Sequence, residues 1–168
     1  KAQLYIGIAI LLLYWIIMTY IPVPGIGTPD LSVPEKNWAH YIDKLLLPGR
    51  LWKQTWDPEG ILSTLPSIAS GIMGMISGYI LLKKDELGEK INQLFFFGFI
   101  LLFSGELMQW VFPLNKNLWS SSFSLLMGGI TAVSLASSIY IFDFKKSNYK
   151  FKFAHVFGIN SIFSYSLS

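Results

Sequence analysis

The sequence predicts an all-α fold, a polytopic bundle of transmembrane helices forming a single membrane domain. Hydrophobic residues make up 52% of the 168 residues and charged residues only 14%, against roughly 25% charged residues in typical soluble proteins. The apolar residues also fall in long runs, most of them close to the ~20 residues that a helix needs to cross a bilayer. We predict five membrane runs, at about 2–20, 60–82, 91–112, 120–142 and 153–168.

The first run is followed by an unusually long polar connection over residues 21–59. Run 2–20 carries no charge, and aromatic residues near its end suit a membrane interface. Pro and Gly argue against a helix in the first half of the connection. The stretch 37–47 is amphipathic and predicts a short interfacial helix, ended by Pro48-Gly49. A connection of this length indicates a functional segment.

The remaining runs differ in their polar and small residues. The second is rich in Gly and Ser and contains a GxxxG spacing at Gly74 and Gly78, which lets helix backbones approach closely in lipid. We therefore expect this helix to pack inside the bundle, with a channel lined by its Gly/Ser-rich face as the alternative. The third run carries Glu106, and the fifth carries Asn160 and looks incomplete. Because both ends of the sequence lie in or beside apolar runs, we expect the chain to be part of a longer protein.

The distribution of charge predicts the orientation. If the runs alternate across the bilayer, Lys1 and the turns 83–90 and 143–152 share one side with eight Lys. The other side has four Lys and one Arg, and it contains both the 21–59 connection and the 113–119 turn. Short basic turns favour the cytoplasm. The connection and the 113–119 turn are therefore predicted to share the outer face.

Composition also excludes several kinds of site. Without Cys, disulfides and thiolate chemistry are excluded. The net charge of +3 lies mostly in short loops, a pattern of membrane orientation, so no nucleic-acid partner is expected. His40 and His155 have no partners that we recognise as metal ligands, so no metal is expected. We interpret both as ordinary surface or interfacial histidines, although each could act as a base.

Two carboxylates at the start of the second run are candidate catalytic residues. Asp57 followed by Pro is a strong helix start, with Asp as N-cap and an acidic group at the positive end of the helix dipole. The alternative is functional. Asp57 and Glu59 would stand at the membrane mouth of a packed helix, where one could bind an amine or remove its proton.

The turn after the third run carries candidate substrate-binding residues. Asn115, Lys116 and Asn117 could bind hydroxyl groups or stabilise an oxyanion, beside Trp119. The alternative is a polar turn with an interfacial Trp and a snorkelling Lys.

Two polar residues lie inside the predicted runs. Glu106 is functional by default for a membrane carboxylate, or it forms a structural pair with Lys116. Asn160 could line the interior or form an interhelical hydrogen bond, and the second role is the simpler one.

Taken together, these motifs resemble a known family. The segments are NWAHYIDKLLLPGRLW, DPEGILSTLPSIASGIMGMISGYIL, FPLNKNLWSSSFSLLMGG and FGINSI. Their order and spacing are similar to those of the heparan-α-glucosaminide N-acetyltransferase family and its bacterial membrane relatives. The resemblance covers the chain from about Pro22 onward, and it departs from the family at Arg50, where relatives often carry His.

The resemblance implies a function. Members have about ten or eleven membrane helices and move an acetyl group from cytoplasmic acetyl-CoA to the amine of a glucosamine on the outer or lumenal face. Their implicated histidine lies in an N-terminal half outside this chain, so the main catalytic residue is expected there. We expect an acetyltransferase in a bacterial inner membrane, with a lysosomal membrane as the alternative. Expected partners are the lipid bilayer and a small amino sugar, and homo-oligomerisation stays open.

Two other functions remain open. A transporter of sugars or cell-wall fragments would use the same polar groups as a permeation site. A non-catalytic membrane subunit would bind a partner through its outer connection.

Overall fold

A computed structural model describes residues 2–47, 49, 57 and 60–145 of the chain. These residues form an all-helical fold without β-strands, apart from a single bridge between Val23 and Gly27. The predicted run 153–168 lies outside the described residues. The α-helices are α1 (Ala2–Tyr20), α2 (Trp38–Leu46), α3 (Thr64–Leu82), α4 (Leu87–Met108) and α5 (Ser121–Ile139).

Four helices are long and apolar enough to cross a membrane: α1, α3, α4 and α5, the last continued by a π-helical turn over Tyr140–Phe144. Large apolar side chains are exposed along them, including Phe96, Phe99 and Phe103 on α4. A continuous apolar exterior suits lipid rather than water. The predicted class, a bundle of transmembrane helices, is confirmed, and the chain is an integral membrane protein.

The helix bounds differ from the apolar runs at two places. Run 91–112 is shifted, because α4 begins at Leu87 and ends at Met108, taking in residues of the predicted charged turn. Asp57 is not the N-cap of α3, because this helix begins seven residues later at Thr64. The N–H of Ile61 instead donates to the Asp43 carboxylate, which holds this segment against α2 before the helix starts.

Helices α4 and α5 pack with their backbones in contact. A Cβ atom on Gly105 would lie 2.7 Å from the backbone N of Leu126, and one on Gly129 would lie 2.6 Å from the backbone N of Leu102. Only glycine fits such an approach, as expected where helices associate in lipid. The predicted use of Gly74 and Gly78 is wrong for the described residues, because a Cβ on either would meet nothing within 4 Å.

Buried serines attach α5 to the other helices near its start. The Ser121 hydroxyl donates to the Leu11 carbonyl of α1 (2.7 Å), and the Ser124 hydroxyl donates to the Pro66 carbonyl of α3 (3.4 Å). In an apolar environment, hydroxyl groups need such partners. The start of α5 is therefore fixed beside α1 and α3.

One end of the bundle carries two polar segments, the described residues of 21–63 and residues 109–120. We call it the connection end. An apolar cluster underlies it, with Tyr14 and Met18 of α1, Ala39 of α2, and Phe112 and Leu118 of the 109–120 turn among its members. The short turn 83–86 joins α3 to α4 at the opposite end. This placement agrees with the alternation predicted from the sequence.

Candidate functional site

Hydrogen bonds between residues distant in sequence, one buried and one exposed, hold the two segments of the connection end. The Tyr14 hydroxyl, fully buried in α1, donates to the Leu118 carbonyl at 2.5 Å. The Trp38 indole of α2 donates to the Ile21 carbonyl just beyond α1 (2.8 Å). Both bonds join residues far apart in sequence, so they fix how the segments sit over the helices.

A polar pocket of about 140 Å³ lies between these segments. Its wall combines residues from the first connection with residues from the 109–120 turn. Its polar lining residues are Ser32, Asn37, His40, Asp57, Asn115 and Asn117. A cavity of ~150 Å³ holds a molecule the size of benzene, so this volume suits a single six-membered ring.

Asn115 shapes the floor of the pocket. Its side-chain oxygen accepts from the Leu118 N–H (3.1 Å), and its carbonyl accepts from the Ser120 N–H (3.0 Å). Ser120 in turn caps α5, where its hydroxyl accepts from the Phe123 N–H. These bonds close the turn so that Asn117 stands exposed at the pocket. One amide is therefore structural and the other is available to a ligand.

Trp119 anchors the same turn from outside the pocket. Its backbone has φ +50°, in the left-handed region that non-glycine residues seldom occupy. Its indole N–H donates to the Ser70 hydroxyl of α3 (3.2 Å), and its ring contacts Phe123 edge-on. The strained backbone at Trp119 is stabilised by these two contacts.

Helix α2 presents polar residues to the interior from one face. Asn37 is the N-cap, where its side-chain oxygen accepts from the His40 N–H. The Asn37 amide donates to the Pro34 carbonyl (2.9 Å). His40 is 9% exposed and Asp43 is fully buried. Since Asn37, His40 and Asp43 follow one another at intervals of three, they share the inward side of the helix.

Asp43 is a buried carboxylate with one oxygen bound and one unpartnered. Its Oδ1 accepts from the Ile61 N–H at 2.8 Å, while Oδ2 has no partner among the described residues. A Cβ on Gly60 would overlap this carboxylate, so only glycine fits beside it. Burial raises the pKa of Asp43 above its ordinary 3.8, and the negative charge of Asp57 raises it further.

Two groups oppose this increase in the pKa of Asp43: the Ile61 N–H and, to a smaller extent, His40. The pKa of Asp43 stays raised on balance, with burial as the larger cause and the charge of Asp57 as the smaller one. Such an arrangement can hold a proton next to the pocket, in which Asp57 is a wall residue.

The structure unites part of the predicted site. Asp57, Asn115 and Asn117 line one pocket although the two segments are more than fifty residues apart. Lys116 is exposed and lies outside the pocket wall, and Trp119 is directed to α3. Glu106 is exposed on α4 and forms no ion pair with Lys116 among the described residues. Glu59, Asn160 and His155 lie outside the described residues.

Sequence reasoning missed two residues of the site. His40 was interpreted as a surface or interfacial histidine, whereas it is buried and lines the pocket, with its Nδ1 unpartnered among the described residues. Asp43 was not singled out. The three-residue spacing of Asn37, His40 and Asp43 was the available signal. Among the described residues, no group of three or more His, Asp or Glu side chains is arranged to hold a metal ion.

Comparison with protein-family models, with curated proteins and with solved structures finds no match to this chain. The fold and the pocket therefore define its class directly: a helical integral membrane protein with a polar, carboxylate-containing pocket at one end of the bundle.

Proposed function

We propose that this chain forms the acceptor side of a membrane-embedded acetyltransferase that moves an acetyl group from cytoplasmic acetyl-CoA to an amino sugar on the outer face. The observation that carries the proposal is that Asp57 and the pair Asn115 and Asn117 line one ring-sized pocket. These residues come from the two motifs, DPEG and NKN, that carry the resemblance to the heparan-α-glucosaminide N-acetyltransferase family.

The chemistry of the pocket suits an amino sugar. A carboxylate at the wall attracts an ammonium group, and side-chain amides donate to and accept from ring hydroxyls. An ammonium cannot attack an acyl carbon until it loses a proton. Asp57, with Asp43 buried behind it, offers a local proton acceptor.

The bonds and the protons of the acetyl transfer both balance. The neutral amine forms a C–N bond to the acetyl carbonyl carbon, the C–S bond of the thioester breaks, and the coenzyme A thiolate leaves. The amine loses its second proton, and the thiolate is protonated to the thiol. The main catalytic residue for this step is expected outside this chain, in keeping with the family resemblance.

The location follows from the same proposal. The connection end would face the outside, opposite the Lys-rich turns. A bacterial inner membrane is the preferred location, with a lysosomal membrane as the equivalent alternative.

Acetyl transfer by the full-length protein in proteoliposomes tests the proposal. Labelled acetyl-CoA is supplied on the cytoplasmic side and glucosamine on the other. Asp57→Asn should lower kcat/KM by about 100-fold or more, since a positioned proton acceptor contributes that much. Asn117→Ala should raise KM about three- to tenfold through one lost hydrogen bond.

Lys116→Ala is the matched control for Asn117→Ala, because it changes the neighbouring residue outside the pocket wall. It should leave turnover close to wild type. If no labelled product forms with any acceptor and glucosamine itself crosses the bilayer, the enzyme proposal is wrong and the transporter takes its place.

A further inference from the structure

A second, larger groove also has His40 in its wall. Its volume is about 410 Å³, and it runs between the 23–27 hairpin and α2. The hairpin is closed by two backbone bonds between Val23 and Gly27 (2.7 and 2.9 Å), and Gly25 and Gly27 have φ of +77° and +93°. The groove is therefore built by ordered backbone on one wall and a helix face on the other.

The lining of this groove is unlike that of the pocket. From the hairpin come Pro24, Gly25 and Ile26, and from α2 come Tyr41, Lys44 and Leu45. Apart from His40, these residues offer one cation, one phenol and several apolar groups, and no carboxylate or amide side chain. A soluble glycan is held by several hydrogen-bonding side chains, whereas this wall supplies only His40, Tyr41 and Lys44 among mostly apolar groups.

The apolar members of the groove are exposed. Ile26 is 41% exposed and Leu45 66%, and the next residue, Leu46, is 58% exposed. Leaving such side chains in water is unfavourable, whereas a bilayer surface accommodates an amphipathic helix with its apolar face in the acyl boundary. The exposed leucines of α2 therefore fit a membrane surface.

The position of the groove along the chain also places it near the membrane surface. Val23 follows the end of α1 at Tyr20 by three residues, so it lies within about 11 Å of that helix end. The headgroup layer on each side of the hydrocarbon core is several ångströms thick. When α1 spans the bilayer, the hairpin wall of the groove therefore begins within about 11 Å of the membrane end of that helix.

We infer that the acceptor is a lipid-anchored amino sugar whose phosphate-bearing headgroup occupies this groove. This inference rests on the proposed function. His40 lines both cavities, so one molecule can place its sugar ring in the pocket and its anionic linker beside Lys44. Its hydrocarbon chain would lie along Leu45 and Ile26 and continue into the bilayer.

The test compares acceptors that differ in one part. The full-length protein in neutral-lipid nanodiscs receives glucosaminyl phosphate esterified to a farnesyl chain, or the soluble glucosamine 1-phosphate. Both acetyl transfer and direct binding of the radiolabelled acceptors are measured. The lipid-linked acceptor should have a kcat/KM at least about tenfold higher than the soluble one.

Leu45→Ser should reduce that preference about fivefold, whereas Lys44→Gln should lower kcat/KM about fivefold for both acceptors, because both carry the phosphate. Lys36→Gln is the matched control, since Lys36 is an exposed lysine of the same connection that does not line the groove. It should leave both acceptors unchanged. Equal kcat/KM for the two acceptors, or unchanged kcat/KM for both in Lys44→Gln, would overturn the inference while acetyl transfer itself stands.

The binding measurement separates this inference from the proposed function. If no acceptor is acetylated, saturable binding of the lipid-linked probe that Lys44→Gln weakens still supports the groove. Failure of the probe to bind above the level of farnesol, which lacks the phosphate, rejects it.

Discussion

The α4–α5 pair and the connection end use different kinds of contact. In the pair, Gly105 and Gly129 bring two helix backbones directly together. At the connection end, individual hydrogen bonds such as that from Tyr14 to Leu118 join segments distant in sequence. Every buried side-chain nitrogen or oxygen that lacks a partner among the described residues belongs to this end: those of Trp15, Thr19, His40 and Asp43.

This difference distinguishes contacts that only stabilise the fold from polar groups that can serve a functional site. A contact between glycines is satisfied by shape alone and needs no further partner. Buried polar atoms without partners are costly, and proteins retain them mostly where they serve binding or catalysis. The connection end therefore has the features of a site, whereas the α4–α5 pair has those of a frame.

The largest effect is expected when one methyl group is added to the frame. Gly129→Ala places a Cβ 2.6 Å from the Leu102 backbone, so the two helices must separate. We expect a loss of about 3 kcal/mol in the free energy of unfolding, at the upper end for overpacking. The thermal unfolding midpoint of the full-length protein in detergent measures it.

Gly74→Ala is the matched comparison, with the same added methyl group in open space. It should stabilise the helix by about 0.5–1 kcal/mol, because alanine loses less backbone entropy than glycine. Equal destabilisation by both changes would show that another helix or a second copy packs against α3. Unchanged stability in Gly129→Ala would contradict the account of the α4–α5 contact.

The next effect concerns the principal bond of the connection end. Tyr14→Phe keeps the ring in its apolar cluster and removes the hydroxyl that donates to the Leu118 carbonyl. A buried acceptor left unpaired costs about 1–3 kcal/mol. We expect a loss of about 2 kcal/mol in stability together with weaker acceptor binding, since Leu118 also lines the pocket. Unchanged stability and unchanged binding would show that this bond does not hold the turn.

The membrane helices were largely predictable from the sequence, and the errors in their bounds and contacts have physical causes. The length and apolarity of the runs indicate membrane helices, and α1 matches its run at both ends. Apolar runs do not reveal where hydrogen bonding begins, so α4 starts four residues before its run, within the predicted charged turn. Glycine spacing shows that close approach is possible, but only packing decides that Gly105 is used and Gly74 is not.

The sequence motifs predicted some of the pocket residues, but they did not predict the buried residues of α2. Asp57 and Asn117 stood out as polar groups at the ends of apolar runs, and they do share a pocket. His40 and Asp43 sit on a short helix whose inward face is defined by contact with other segments. Their three-residue spacing places them on one face of the helix, but only the fold shows that this face is the buried one.

A smaller effect should appear in the pH dependence of stability. Because burial raises the pKa of Asp43 in the folded protein, the folded state binds its proton more tightly than the unfolded state. The contribution of Asp43 is fully present below its ordinary pKa of 3.8 and is lost as pH rises through the folded value. One proton limits the slope to about 1.4 kcal/mol per pH unit.

Asp43→Asn removes this titration and keeps an oxygen that can accept from the Ile61 N–H. The difference in unfolding midpoint between wild type and Asp43→Asn, followed upward from pH 4, should shift in favour of the variant. A difference that does not vary with pH would show that the carboxylate titrates at the same pH in the folded and unfolded states.

The smallest effect is expected at Trp119, which links the site to the frame. Trp119→Phe keeps a ring beside Phe123 and removes the indole N–H that donates to the Ser70 hydroxyl. The lost bond should cost about 1 kcal/mol. In a double-mutant cycle with Ser70→Ala, the two losses should be less than additive, because both changes remove the same bond. Additive losses would mean that ring packing alone holds the strained backbone at Trp119. The turn that carries Asn117 would then be positioned by close packing, as the α4–α5 pair is.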